Sequence, residues 1–198
     1  MIPEIQSRRS IRQYTSQPVS RQQILAVLEA GNRAPSAKNR HPWRFLVLTG
    51  KAKSDAVSAM RRGIERERGG DALLPGSARH LAGAEYTARI MEQAPAVIFI
   101  SNPLGTPLDA QLSPEERVYE LANFQSLGAC IQNICLEAEA QGLGSLWICD
   151  IFFAYEELSR LAGMEAELAA AVALGYAAEH PAARPRKKLE DIVEWREG

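Results

Sequence analysis

The amino-acid sequence predicts a single α+β domain. Helical and strand-like patterns mix along it without the strict strand–helix–strand rhythm of a doubly wound sheet. The 198 residues suit one ordinary domain with a sizeable core. An apolar share of 46% and a charged share of 24% both lie in the globular range, so intrinsic disorder is not expected for most of the chain.

Taken in order, Ser20 to Ala30 reads as a helix. Ser20 and Gln23 form a capping box, Ile24, Val27 and Leu28 make an apolar stripe, and Gly31-Asn32 ends it. Phe45 to Leu48, flanked by Trp43 and Thr49, reads as a strand. Lys51 to Arg66 is helical in pattern and charged toward its end, Gly69 to Ser77 reads as a loop, and His80 to Gln93 as a helix. Pro95 to Ile100 is a short apolar run before Asn102-Pro103, as in a buried strand. Ser113-Pro114-Glu115-Glu116 announces a long helix: Ser is the cap, Pro sits in the first turn and Glu closes the box. It is expected to run to Gln141 and stop at Gly142. Its apolar residues, among them Leu121, Phe124, Leu127, Ile131 and Ile134, fall on more than one face, which predicts a central helix. Leu146 to Cys149 reads as a strand, Tyr155 to Ala162 as a short helix and Ala170 to Tyr176 as a strand. From Ala177 the chain is rich in Pro and charge, yet it finishes in Ile192, Val193 and Trp195. Such an extended tail must dock its apolar anchors, on its own domain or on a second subunit.

Composition removes several classes of function. The net charge of −1 supplies no global field for nucleic acid. The longest apolar stretch, Leu168 to Ala178, contains a Gly and falls short of the ~20 residues that span a bilayer. Met1 to Ile5 carries an acid and no long apolar run, so no secretory signal is read and a cytoplasmic location is expected. Cys130, Cys135 and Cys149 are an odd set without paired spacing, which argues against a disulfide framework. With three scattered histidines and neither CxxC nor HExxH, no metal site is expected.

Four segments carry chemistry. Arg8-Arg9-Ser10-Ile11-Arg12 offers three guanidinium groups and a hydroxyl that can grip a phosphate; a solvated basic helix end is the plainer reading. Pro35-Ser36-Ala37-Lys38-Asn39-Arg40-His41-Pro42-Trp43 is a loop entering a strand, in which Asn39 can pair with the amide edge of a heterocycle. In Gln141 to Asp150 the glycines permit a tight turn or close backbone approach to a ligand. Cys149 there lacks a His base and reads as a buried, inert thiol, while Asp150 is an acid–base group or a helix cap. Arg184-Pro185-Arg186-Lys187-Lys188 is a second basic cluster. In a chain of near-zero net charge, clusters at opposite ends imply one positive patch if the termini meet.

In this order and spacing the four segments resemble the FMN-dependent nitroreductase family over nearly the whole chain. The match is densest at Ser7 to Tyr14, Arg33 to Phe45, Gly128 to Asp150 and Leu174 to Val193. The resemblance implies a three-layer fold, a central mixed β-sheet flanked by helices, in an intertwined homodimer with two FMN sites at its interface. It implies a single domain over residues 1–198 whose tail, 177–198, extends onto the partner subunit. By residue-wise match, Arg8 and Ser10 hold the FMN phosphate with Arg9 beside them, and Arg184 and Arg186 complete that site. Arg12 and Arg89 lie near the pyrimidine edge. Pro35, Ser36 and Asn39 reach the flavin from the other subunit, and the backbone around Ile148, Cys149 and Asp150 approaches N5. The implied activity is ping-pong hydride transfer from NADH or NADPH to a small acceptor such as a nitroaromatic or quinone. Reductive dehalogenation, ene reduction, flavin breakdown and non-catalytic flavin binding are the alternatives. Two departures stand out: His41 replaces the Gln of many relatives, and residues 61–88, which often cover the active site, match poorly.

Overall fold

In the computed structural model, which describes residues 1–163 and 166–198, the expected elements form within a few residues of their predicted ends. They are α1 (Pro3–Ser7), α2 (Arg21–Asn32), β1 (Arg44–Leu48), α3 (Gly50–Arg68), α4 (Leu81–Gln93), β2 (Ala96–Asn102), α5 (Pro114–Ala140), β3 (Gly144–Ile148), α6 (Tyr155–Ala162) and β4 (Glu167–Gly175). Both predicted capping boxes are present, Ser20 with Gln23 and Ser113 with Glu116. The Gly69–Ser77 loop ends in a short 3-10 turn, Pro75–His80. Helix α1 was not expected, because five residues are too few for a periodic signal.

The strands form one sheet in the order β1-β2-β4-β3. Leu46 pairs with Phe99, Ile98 with Val172, and Trp147 with Val172 across the three ladders. All three pairings are antiparallel, so the expected mixed sheet is realised differently. Its parallel component is the isolated Ser10–Ser145 bridge beside β3.

Side chains of β2 alternate between two cores, as the period of a strand requires. Val97 and Phe99 point into a cluster with Met60 and Ile64 of α3 and Ile90 and Met91 of α4. Ile98 and Ile100 point into the other, with Val27 of α2 and Ile131 and Ile134 of α5. Helices cover both faces, which is the expected three-layer arrangement.

One expectation needs amendment, and one of two alternatives is narrowed. Helix α5 buries Leu127, Ile131 and Ile134, but Val118, Leu121 and Phe124 stay exposed, so it is apolar all round without being buried all round. The tail does not dock on its own domain: Leu189, Ile192, Val193 and Trp195 are all exposed, Trp195 to 82%.

One contact sets how closely α3 packs. A Cβ built on Gly63 would lie 2.3 Å from both Cα and Cβ of Ala154. Gly63→Ala gains about 1 kcal/mol of helix propensity. Overpacking against backbone costs more, about 3 kcal/mol. The net loss should lower Tm by about 4–8 °C in a chain of this size. An unchanged melting temperature by calorimetry would contradict the packing.

Candidate functional site

The two chain ends meet beside β3. The Ile11 N–H donates to the Ser145 carbonyl (3.0 Å), Thr15 N–H to the Tyr176 carbonyl (2.9 Å) and Ala178 N–H to the Gln13 carbonyl (2.9 Å). Gly144 makes the approach possible: a Cβ there would sit 2.8 Å from Ile11 Cγ1. The buried Tyr14 hydroxyl donates to the Ile11 carbonyl (2.9 Å), and burial pushes its pKa far up. The Glu179 carboxylate accepts the backbone N–H groups of Arg12 and Gln13.

This crossing gathers five arginines. Arg8, Arg9, Ser10, Arg12, Arg184 and Arg186 line a cavity of about 60 Å³ with no carboxylate in its wall. They are not equivalent. Arg9 turns its guanidinium onto the carbonyls of Gln6, Ser7 and Arg8 (2.8, 2.8 and 2.9 Å). Arg12 donates to the Ser10 carbonyl (3.0 Å), and Arg186 to the Arg184 carbonyl (3.2 Å). None of the five is salt-bridged among the described residues. Concentrated guanidinium charge without acidic partners suits a phosphate dianion, whose oxygens accept forked hydrogen bonds. A second cavity, about 250 Å³, shares Arg12 and is lined by Gln13, Tyr86 and Arg89. Arg89 lies over the Tyr86 ring at 5.6 Å. The structure thus joins Arg89 to the N-terminal cluster.

Beyond β3, whose last residue Ile148 is buried, Asp150 opens a 3-10 turn and accepts a short hydrogen bond from the Thr87 hydroxyl of α4. Cys149 is exposed, not buried as expected, because the chain turns outward at the end of the strand. Partial burial of the thiol and the adjacent Asp150 charge nonetheless raise its pKa, so it stays a poor nucleophile.

The Pro35–Asn39 loop lies elsewhere. It packs on α5, where Ser126 Oγ accepts the Ala37 N–H (3.1 Å), and Ser36 Oγ accepts the His41 N–H (3.0 Å). Lys38, Asn39 and His41 have φ of 53°, 54° and 48°, a strained region for side-chain-bearing residues. Pro35, Ser36 and Asn39 do not line the arginine cavity within one chain.

Several participants were not foreseen. Thr87 and Glu179 carried no signal beyond a common residue type. Lys38 Nζ and the Arg40 guanidinium stand 5.4 and 5.1 Å from the Tyr119 ring of α5, beside a cleft of about 420 Å³. In the poorly matched 61–88 stretch, Glu67 is buried. It accepts the N–H groups of Leu73 (2.7 Å) and Leu74 (3.0 Å) and pairs with Arg66 (2.8 Å). Arg66 also forks onto Glu157 (2.9 and 3.3 Å). Burial works to raise the Glu157 pKa, but the Arg66 hydrogen bonds and charge prevail and hold it low. This network ties the loop after α3 to α6.

A helix-covered antiparallel sheet, beside which the two chain ends close an acid-free arginine pocket, is an α+β arrangement with the charge to suit a phosphorylated ligand. The chain belongs to the nitroreductase family: a family model described as "Nitroreductase family" matches residues 5–176. It is 28% identical over 215 residues to an NADH dehydrogenase of Thermus thermophilus, covering 96% of this chain and 92% of that one. It is 27% identical over 164 residues to a nitrobenzene nitroreductase of Ectopseudomonas oleovorans, covering 70% and 69%. Among solved structures, a nitroreductase-class protein of Desulfovibrio desulfuricans in complex with FMN superposes with a TM-score of 0.71 at 27% identity, covering 100% of this chain and 97% of that one.

Proposed function

We propose that this protein is an FMN-dependent oxidoreductase that takes electrons from NADH or NADPH and passes them, in ping-pong order, to a small nitroaromatic or quinone. The observation that carries the reading is the acid-free arginine cavity at the crossing of the chain ends. Arg8, Ser10, Arg184 and Arg186 would hold the FMN phosphate. Arg12 and Arg89, which line the adjoining cavity, would face the pyrimidine edge and favour an anionic form there. Ile148, Cys149 and Asp150 would border the ring through their backbone. The Thr87 hydrogen bond would keep the Asp150 carboxylate in place. When bound, FMN supplies the two-electron chemistry, which leaves position and electrostatics to the protein. The high Cys149 pKa fits a scheme without a side-chain nucleophile.

The same reading makes the molecule an intertwined homodimer working in the cytoplasm. Leu121 and Phe124 of α5 and Trp147 of β3 are exposed apolar groups of the kind a partner covers. The tail from residue 177 onward would cross to that partner. The loop bearing Pro35, Ser36 and Asn39 would serve the partner's cofactor, which accounts for its distance from the arginine cavity of its own chain.

The purified protein should be yellow and release FMN on denaturation. Under anaerobic conditions, stopped-flow mixing with NADH or NADPH should bleach the flavin within seconds, and a nitroaromatic should restore the colour. A colourless protein that ignores added FMN would sink the proposal. Bound flavin that neither donor bleaches would remove nicotinamide from it and favour a flavin-binding protein without turnover.

A further inference from the structure

We propose that the cleft between the Lys38–Arg40 turn and the first turns of α5 is a subsite for the carboxylate of an aromatic-acid acceptor. Lys38 and Arg40 bring two cations to one side of it, both close to the Tyr119 ring. Neither has a carboxylate partner within salt-bridge distance among the described residues. The rest of the wall is largely apolar, from Ala37, Val118, Tyr119 and Ala122. An apolar slot with two cations at its rim is complementary to a flat ring bearing one anionic group. Its volume, about 420 Å³, holds a substituted benzene and is small for a dinucleotide. Glu115 lines the same cleft and opposes excess negative charge, so a monoanion fits better than a phosphate dianion.

The inference rests on the reading above for its place in the reaction. The turn that carries Lys38 and Arg40 also carries Ser36 and Asn39, assigned there to the cofactor. A ring anchored by its carboxylate would therefore sit next to the group that reduces it. The left-handed backbone at Lys38 and Asn39 sends successive side chains off in directions an ordinary turn would not. Binding, not chemistry, is what the two cations contribute.

The test is calorimetric titration of the flavin-loaded protein with benzoate and with its neutral counterpart benzamide. Benzoate should bind about tenfold more tightly, a preference set by charge-assisted hydrogen bonds in a partly desolvated cleft. The double variant K38Q/R40Q should erase that preference and leave benzamide unchanged. E115Q should tighten benzoate about twofold to threefold, a gain that misfolding does not produce. In turnover, K38Q/R40Q should raise KM for 4-nitrobenzoate about tenfold, with kcat and the KM for nitrobenzene unchanged. Equal binding of benzoate and benzamide to the unmodified protein would overturn the proposal, as would a preference that survives in K38Q/R40Q. A rise in KM for NADPH in place of the acid would also overturn it, by assigning the cations to the donor. A protein that binds benzoate selectively but never oxidises a nicotinamide would refute the oxidoreductase reading and leave the subsite standing.

Discussion

Replacing Arg8, Arg184 and Arg186 together with Ala should weaken FMN binding by about a thousandfold. A hydrogen bond to a charged group is worth about 1.5–3 kcal/mol. Three that share one phosphate will not add fully, so about 4 kcal/mol is a fair sum, and each 1.4 kcal/mol is a decade in Kd. The structure supplies an internal control. Arg9 lines the same cavity, but its Nη1 is held by three backbone carbonyls at 2.8–2.9 Å, a tighter hold than the 3.2 and 3.4 Å at which Arg186 Nη1 meets the Arg184 and Pro185 carbonyls. Arg9→Ala should therefore change the Kd by no more than about threefold. Quenching of free flavin fluorescence on titration reads both values, and far-ultraviolet circular dichroism checks that the fold persists. Equal losses in Arg9→Ala and the triple variant would mean that the cavity works as a diffuse basic patch and not as a shaped phosphate grip.

If the proposed homodimer forms, deleting residues 189–198 should convert it to a monomer at micromolar concentration. Leu189, Ile192, Val193 and Trp195 lie exposed at the end of the chain, which is a poor resting state for four large apolar groups. Burying each on a partner is worth about 1.5–3 kcal/mol, so one tail offers about 6–12 kcal/mol before costs, and a symmetric pair offers twice that. Association itself costs about 4–15 kcal/mol. Helix α5 and Trp147 contribute more, yet removing both tails takes away a term as large as the whole cost. Sedimentation velocity on the full chain and the truncated one reads the outcome. A truncated protein that remains dimeric would show that the α5 face suffices and that the tail serves another purpose.

What the sequence disclosed was local. The two capping boxes are encoded within four residues each, so the starts of α2 and α5 could be placed to a residue. The apolar run of β2 needed no partner to be recognised. Other features depend on pairings that no local pattern contains. Nothing near Arg8 or Arg9 distinguishes the guanidinium aimed at the cavity from the one folded back on its own chain. Glu67 lies in the strongly charged last turn of α3, one residue past the helix end the pattern predicts, and it is buried because the following loop turns its N–H groups onto it. Leu121 and Phe124 read as core, because periodicity reports an apolar face without saying whose surface covers it. Cys149 reads as the buried last residue of an apolar strand, but the strand ends one residue earlier. The meeting of the two basic clusters was legible only as a condition. The hydrogen bonds from Thr15 and Ala178 meet that condition.

The left-handed backbone at Lys38 and His41 sets a limit on how far this protein can be hardened. Glycine would relieve each position by an amount on the order of 1 kcal/mol. A search for heat-resistant variants would therefore be drawn to this loop first. At Lys38 the relief would remove a cation from the slot beside Tyr119, so ruggedness and substrate discrimination compete for the same residue.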